Sequence, residues 1–299
     1  MQAVYTAAEY ATTLTADLAP HRVRLGVVGN PIAHSCSPQM QQAALHAAAM
    51  PGTYVRLQAG LEAGAFEQAL ATFHRMGFTG LNITVPFKRR AFAAADCSAD
   101  ALATRCGACN TLVRTETGWS GYNTDGPGFA RAIAELCGKP LGQLRVALLG
   151  ACGGAGTALA YQCALDSCPQ LAIINRPKPA LDALAQELAA ISPGRVHAAA
   201  MGTDAHRSAV QQADLVVNAT SLGLSAGDPM PLDPAWLQPG QVVYDIVTHA
   251  TPLQHAARER GCTASHGLGM LLWQGAYAFE KWFHTLPDTA AMQHALLLR

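Results

Sequence analysis

Charge is scarce in this sequence of 299 residues: only 13% are Asp, Glu, Lys or Arg, and 20 acidic residues balance 20 basic ones. A chain without a basic surplus has no electrostatic footprint for nucleic acid or for an anionic membrane. Residues 1–24 lack the continuous apolar core of a signal peptide, and no later run reaches membrane-spanning length. These absences exclude nucleic acid and membrane as partners and point to a soluble, cytoplasmic protein. The nine cysteines are odd in number and follow no regular spacing, which fits reduced thiols rather than a disulfide framework. Cys106 and Cys109 make one isolated Cys-x-x-Cys; with no second pair, buried core residues are a better reading than zinc, and no metal is expected. Half of the residues are hydrophobic, and the length allows two ordinary domains with a large core.

After a first helix, residues 22–28 form a short apolar strand ending at the turn cluster Gly29-Asn30-Pro31. Ser37-Pro38 then reads as a helix start, a capping hydroxyl followed by proline at the first helical position, with the helix running to Met50. Ser35 has no such capping duty, and two hydroxyls beside a helix N-terminus could instead hold a polyol or a carboxylate. A strand over 53–57, a helix over 64–75 and a strand over 80–85 follow, an alternation that argues for an α/β layer. In Asn82-Ile83-Thr84-Val85-Pro86-Phe87-Lys88 a period of two puts Ile83, Val85 and Phe87 on one parity and Asn82, Thr84 and Lys88 on the other. The second parity is either a polar strand face in a ligand site or a lysine that solvates a strand end. A helix over 91–95 leads to Gly107-Ala108-Cys109-Asn110-Thr111, where Asn110 is a turn residue or a polar group at the mouth of a strand. Asp125, in Asn123-Thr124-Asp125-Gly126-Pro127, reads as an N-cap for a helix over 129–137, or as a carboxylate that anchors Lys88 and a substrate hydroxyl.

From Gln143 the pattern changes. Residues 145–149 are a continuous apolar run, as a buried parallel strand requires, and open into Gly150-Ala151-Cys152-Gly153-Gly154-Ala155-Gly156, a helix to about Leu165 and a strand over 171–174. Strand, glycine loop, helix and strand is the dinucleotide-binding context, in which small residues let a pyrophosphate reach backbone amides. Where an NAD enzyme carries an acid for the ribose hydroxyls, this chain has Asn175-Arg176-Pro177-Lys178; two cations suit a 2′-phosphate, so NADP is favoured, with NAD possible. A helix over 181–190 and strands over 196–200, 215–219 (running into Thr220) and 242–247 continue the alternation, with a helix over 252–260. A last helix after Gly267-Leu268-Gly269 carries Met270, Gln274, Tyr277 and Lys281 on one face.

Together these segments, from Gly29 to Trp282, resemble the shikimate dehydrogenase family, including its broader quinate/shikimate members. The resemblance implies an α/β fold: an N-terminal α/β substrate-binding domain (1–126 and 267–299, with the C-terminal helix returning to it) and a Rossmann-type doubly wound domain (127–266) for NADP. It implies reversible NADPH-dependent reduction of 3-dehydroshikimate to shikimate, by a monomer or homodimer. Carried over residue by residue, Lys88 and Asp125 form the catalytic pair. Ser35 and Ser37 bind the substrate carboxylate, and Thr84, Asn110 and Gln274 its hydroxyls or ring. Gly150, Gly153, Gly154, Ala155, Gly156, Asn175, Arg176, Lys178, Thr220, Gly267 and Met270 line the cofactor.

Two departures stand out. Cys152 lies inside the glycine loop, and counting back from Asn175 makes it an inserted residue, with Gly153 and Gly156 nearest the phosphates. Thr248 stands where family members often carry Tyr, and the loop leading to Thr251-Pro252 is short, which alters a pocket wall. The alternatives are a quinate/shikimate dehydrogenase of dual cofactor use and a ligand sensor that kept the fold. A sensor should have lost Lys88 or Asp125 or gained a DNA-binding segment, and the sequence shows neither change.

Overall fold

The computed structural model describes residues 3–13, 22–177 and 179–298. The chain divides into two compact units, residues 1–124 with 272–299, and residues 125–271.

The first unit is built on six strands: β1 (Val4–Thr6), β2 (Val23–Gly29), β3 (Gly52–Gln58), β4 (Gly80–Ile83), β5 (Thr111–Arg114) and β6 (Trp119–Tyr122). Their order is β1-β3-β2-β4-β5-β6. The first four are parallel, and β5 and β6 complete the sheet antiparallel. Among the described residues, five helices belong to the same stretch: α1 (Ala7–Thr13), α2 (Ser37–Ala47), α3 (Ala65–Arg75), α4 (Lys88–Ala94) and α5 (Ala101–Cys106). Helix α3 buries Phe66, Leu70 and Phe73 at helical spacing. Phe66 stacks on Phe87 with ring centroids 4.6 Å apart, and Phe78, Leu81 and Trp119 join the same core.

Three local readings need correction here. Strand β4 ends at Ile83; Val85 is 66% exposed and Lys88 is the first residue of α4, so the period of two does not continue into a strand face. The backbone explains the break: the Phe87 N–H turns back to the Thr84 carbonyl at 2.9 Å. Ser37 is not the cap of α2 but its first residue; Cys36 occupies the N-cap position without a side-chain cap bond. Asp125 likewise lies inside its helix, α6 (Asp125–Cys137), which starts earlier than the glycines and proline that follow Asp125 suggest.

The second unit is a doubly wound sheet in which every pairing is parallel. Its strands are β7 (Arg145–Leu149), β8 (Gln170–Asn175), β9 (Val196–Ala200), β10 (Leu215–Asn218), β11 (Val242–Asp245) and β12 (Thr263–His266). They run β12-β11-β10-β7-β8-β9, so the order reverses between β7 and β10. After α6 its helices are α7 (Gly156–Leu165), α8 (Pro179–Ile191), α9 (Asp204–Gln212) and α10 (Pro252–Glu259). Strands β7, β8 and β10 are buried on both faces, which is why they read as unbroken apolar runs. Ala147, Leu149, Val216 and Val243 form part of the core.

Helix α11 (Leu268–Phe283) carries the chain from the second unit into the first at residues 271 and 272, and α12 (Thr289–Leu297) follows. Two close approaches fix the second half of α11 within the first unit. A Cβ on Gly275 would lie 2.2 Å from Met40 Cε, and one on Gly80 would lie 2.0 Å from Trp282 Nε1. Trp282 Nε1 donates to the Leu112 carbonyl at 2.9 Å, and Gln41 Nε2 donates to the Gly275 carbonyl at 2.9 Å. Together they set the rotation of the helix, and with it the direction of Gln274.

Candidate active site

From within β3 and β4 to the start of β5 the first unit holds a set of buried polar side chains bonded to one another. Tyr54 Oη donates to Asn82 Oδ1 at 2.7 Å. Asn82 Nδ2 donates to the Asn110 carbonyl at 3.3 Å and to Thr111 Oγ1 at 3.2 Å. Thr111 Oγ1 donates to Asn110 Oδ1 at 3.2 Å. Asn110 Nδ2 in turn donates to Thr124 Oγ1 at 2.9 Å and to Gln274 Oε1 at 3.3 Å. Two backbone groups fix the polarity of the set: the Asn110 carbonyl can only accept, and the Thr124 N–H, which donates to Asn110 Oδ1 at 2.8 Å, can only donate.

Several expected site residues meet here. Asn110 and Gln274, 164 positions apart in sequence, are in direct contact, and both are buried. Lys88 is tied in through its backbone, since its carbonyl accepts the Cys109 N–H at 3.1 Å, one residue before Asn110. Thr84 is half-buried, with its N–H on the Val28 carbonyl at 2.9 Å; a Cβ on Gly29 would lie 2.6 Å from its Cγ2. The loops that follow β2 and β4 are joined by the Asn30 N–H donating to the Val85 carbonyl at 3.1 Å. Ser35 has a structural duty after all: its Oγ accepts the Ser37 N–H at 3.4 Å, and its carbonyl accepts Arg56 Nε at 3.0 Å. Arg56 is itself buried, so this anchor lies inside the protein. Ser37 is buried, and burial holds the Tyr54 phenol well above the usual tyrosine range. Asp125 is 5% exposed and directly follows Thr124, whose N–H is held by Asn110.

Tyr54, Thr111 and Thr124 were not singled out as ligand-site residues from sequence. Asn82 was read as part of the polar parity it shares with Thr84 and Lys88. Tyr54 carried none, since its partner lies 28 residues away.

The expected cofactor residues of the second unit cluster at the C-terminal ends of β7, β8 and β10, where an order reversal of this kind opens a crevice. Gly150 has φ +79°, and a Cβ there would lie 2.8 Å from the backbone of Ala219 and Thr220. A Cβ on Gly156 would lie 2.1 Å from the Gly150 carbonyl oxygen. Gly150 thus makes the tight turn after β7, and Gly156 lets α7 pack against that turn. Gly153 and Gly154 are exposed, Ala155 is the N-cap of α7, and nothing approaches a Cβ on Gly154 within 4 Å. An open loop of small residues at the start of a ten-residue helix is what a pyrophosphate needs in order to approach backbone amides, so the residues present fit a dinucleotide.

Asn175 is buried at the end of β8 with its amide on the Arg176 carbonyl, while Arg176 is exposed; Lys178 lies outside the described residues. Thr220 donates its hydroxyl to Asn218 Oδ1 at 2.7 Å and accepts the Leu222 N–H at 3.1 Å. A Cβ on Gly267 would lie 2.1 Å from the Ile246 carbonyl oxygen, and the Met270 N–H donates to Tyr244 Oη at 2.9 Å. A further buried carboxylate, Asp245, binds Asn218 Nδ2, the Val247 N–H and, at 2.8 Å, Thr251 Oγ1. Burial pushes its pKa up, against the pull of those donors. This cluster ties down the short loop that carries Thr248, with His249 Nε2 3.0 Å from the Gly223 carbonyl.

Comparison with known proteins agrees with this geometry. Residues 27–112 match the family model of the shikimate dehydrogenase substrate binding domain, and residues 267–297 that of the shikimate 5′-dehydrogenase C-terminal domain. The chain is 38% identical over 275 residues to a shikimate dehydrogenase (NADP(+)) of Moorella thermoacetica, covering 91% of this chain and 92% of that protein. The chain belongs to the shikimate dehydrogenase family. Among solved structures, the shikimate 5-dehydrogenase of Thermus thermophilus in complex with NADP(H) and shikimate is 33% identical, with a TM-score of 0.81 over 92% of this chain and 99% of that one. The quinate dehydrogenase of Corynebacterium glutamicum in complex with NAD is 30% identical, with a TM-score of 0.81 over 93% of this chain and 99% of that one.

Proposed function

We propose that the protein is an NADP-dependent oxidoreductase that interconverts shikimate and 3-dehydroshikimate. The observation that carries this reading is the buried bonded set of Asn82, Asn110, Thr111, Thr124 and Gln274, brought together from four elements in the unit that also holds Ser35, Ser37 and Lys88. Fixed amides and hydroxyls of known polarity suit a ligand with several hydroxyl groups, because an alcohol both gives and takes a hydrogen bond. Ser35 and Ser37 bind its carboxylate at the start of α2, where free backbone N–H groups favour an anion. Thr84, Asn110 and Gln274 hold the ring hydroxyls.

Lys88 and Asp125 work as the catalytic pair. In the oxidation direction Lys88 takes the proton of the reacting hydroxyl; in reduction it returns a proton to the developing alkoxide. Asp125 accepts a hydrogen bond from the Lys88 ammonium and balances its charge. NADP, when bound, accepts or gives the hydride. Gly150, Gly153, Gly154, Ala155 and Gly156 would hold its pyrophosphate, and Arg176 and Lys178 would supply the charge for its 2′-phosphate. Asn175, Thr220, Gly267 and Met270 line the remainder. The substrate domain comprises residues 1–126 and 267–299 and the cofactor domain 127–266; assembly as a monomer or homodimer and a cytoplasmic location belong to the same reading.

The direct test is shikimate-dependent reduction of NADP, followed by the absorbance of the reduced nicotinamide. Steady turnover is expected, and its absence at saturating shikimate would overturn the reading. The likeness to the quinate dehydrogenase, together with Thr248 on a short tethered loop, favours one second reading: oxidation of both quinate and shikimate with NAD or NADP.

A further inference from the structure

The phenol of Tyr54 gives its proton to Asn82, on the side of the site assigned to the ring hydroxyls. Tyr54 is buried within β3 and its single proton is committed to Asn82, so it acts on the rest of the site through that side chain. Its proton is the donor that Asn82 Oδ1 receives. The amide end of Asn82 is committed to the Asn110 carbonyl and to Thr111, and Thr111 passes its own proton to Asn110 Oδ1. Asn110 is thereby left with its amide toward Thr124 and Gln274. Each donor in this series is spoken for by the next acceptor, and the series runs from Tyr54 to Gln274.

We propose that Tyr54 is a positioning residue for the reaction: its hydroxyl orients the Asn82, Thr111, Asn110 and Gln274 series and through it sets substrate affinity. This rests on the assignment of Asn110 and Gln274 to the substrate hydroxyls. Removing the hydroxyl while keeping the ring leaves Asn82 Oδ1 buried without that donor. An unsatisfied buried acceptor pulls its neighbours toward other partners, so the misalignment spreads along the series to Asn110. Cofactor residues lie in the other unit, so affinity for NADP should not follow.

The test is Tyr54→Phe, with KM and kcat measured for shikimate and for NADP beside the parent enzyme. The expected result is a rise of about tenfold in KM for shikimate, as loss of one or two aligned hydrogen bonds would give. KM for NADP should stay unchanged. A purely structural role would lower the amount of active enzyme and hence kcat, leaving both KM values in place. Unchanged KM for shikimate, or equal rises for substrate and cofactor, would overturn the proposal. If Tyr54→Phe does not fold, Thr111→Val decides the matter, because it breaks the same series further on and leaves the phenol in place. It should also raise KM for shikimate alone, and no rise would sink the linkage. A parent enzyme that does not turn over shikimate overturns the proposed function and this inference with it. An active parent with an indifferent Tyr54→Phe overturns this inference alone.

Discussion

In residues 1–124 the aligned polar atoms belong to side chains: a phenol, three amides and two hydroxyls, each bonded to the next. In the loop after β7 of residues 125–271 the corresponding ground is held by backbone and by glycines whose missing side chains leave room. The difference teaches where each unit is vulnerable. A site made of side chains fails when an atom is removed, because a buried partner is left unsatisfied. A site made of bare backbone fails when an atom is added, because there is nowhere to put it.

The largest effect expected from removal is at Lys88. Lys88→Ala should lower shikimate turnover by about 10²- to 10⁴-fold, the usual scale of a positioned proton-transfer group. Titration of the variant with NADP should show affinity close to that of the parent. Near-normal turnover would remove Lys88 from the chemistry and weaken the contrast between the units.

The largest effect of addition is at Gly150, where a methyl group meets both a positive φ and the Ala219 backbone at 2.8 Å. Gly150→Ala should cost about 1–3 kcal/mol of stability in denaturant unfolding and raise KM for NADP. Gly154→Ala sharpens the comparison, because nothing lies within 4 Å of its Cβ position. It should leave unfolding unchanged; equal losses in the two variants would show that the open space at Gly154 is not the relevant difference.

Arg176 differs from the glycine loop: it is an exposed charged side chain at the end of β8. If it faces the 2′-phosphate, Arg176→Ala should reduce the preference for NADP over NAD by roughly ten- to a hundredfold, the worth of a charge-assisted contact. Steady-state rates with each cofactor check this, and an unchanged ratio would leave the cations without a role.

The smallest effect is at the opposite end of β7. Arg145 pairs with Asp214 at 2.7 Å, and the hydrogen bond from Arg145 holds the Asp214 carboxyl below its usual range. Both side chains are more than a third exposed, so solvent screening limits the pair to under about 1 kcal/mol. A depressed carboxylate pKa stabilises above the unfolded value, near 3.9, and that contribution is lost as pH falls through the lower folded value. Asp214→Asn should therefore differ from the parent in urea at neutral pH and converge with it in acid. A difference that persisted in acid would mean that the charge is not its source.

The same contrast governs what could be read from sequence. Strand β7, the glycine loop, α7 and β8 were legible because a strand buried on both faces is a continuous apolar run and glycine marks the turn. The substrate side was legible by residue type and less so by local structure. Around Val85 and Pro86 the alternation persisted by composition while the backbone turned, so Lys88 reached its place at the start of a helix rather than at the end of a strand. Strand β1 is three residues long, and β12 is a polar edge stabilised by pairing with β11; neither has a pattern of its own. Helices α5, α9 and α12 did carry signals, since Asp100, Thr203 and Asp288 cap them, but their short apolar stretches hid them. The bond between Tyr54 and Asn82 had no sequence signal, because register across two intervening turns decides it.

The central claim, that this chain pairs a shikimate-binding unit with an NADP-binding unit, is tested most directly by kcat/KM for shikimate and quinate, each with NADP and NAD. The account predicts the highest value for shikimate with NADP. A highest value for quinate with NAD would contradict it, on the substrate side and on the cofactor side alike.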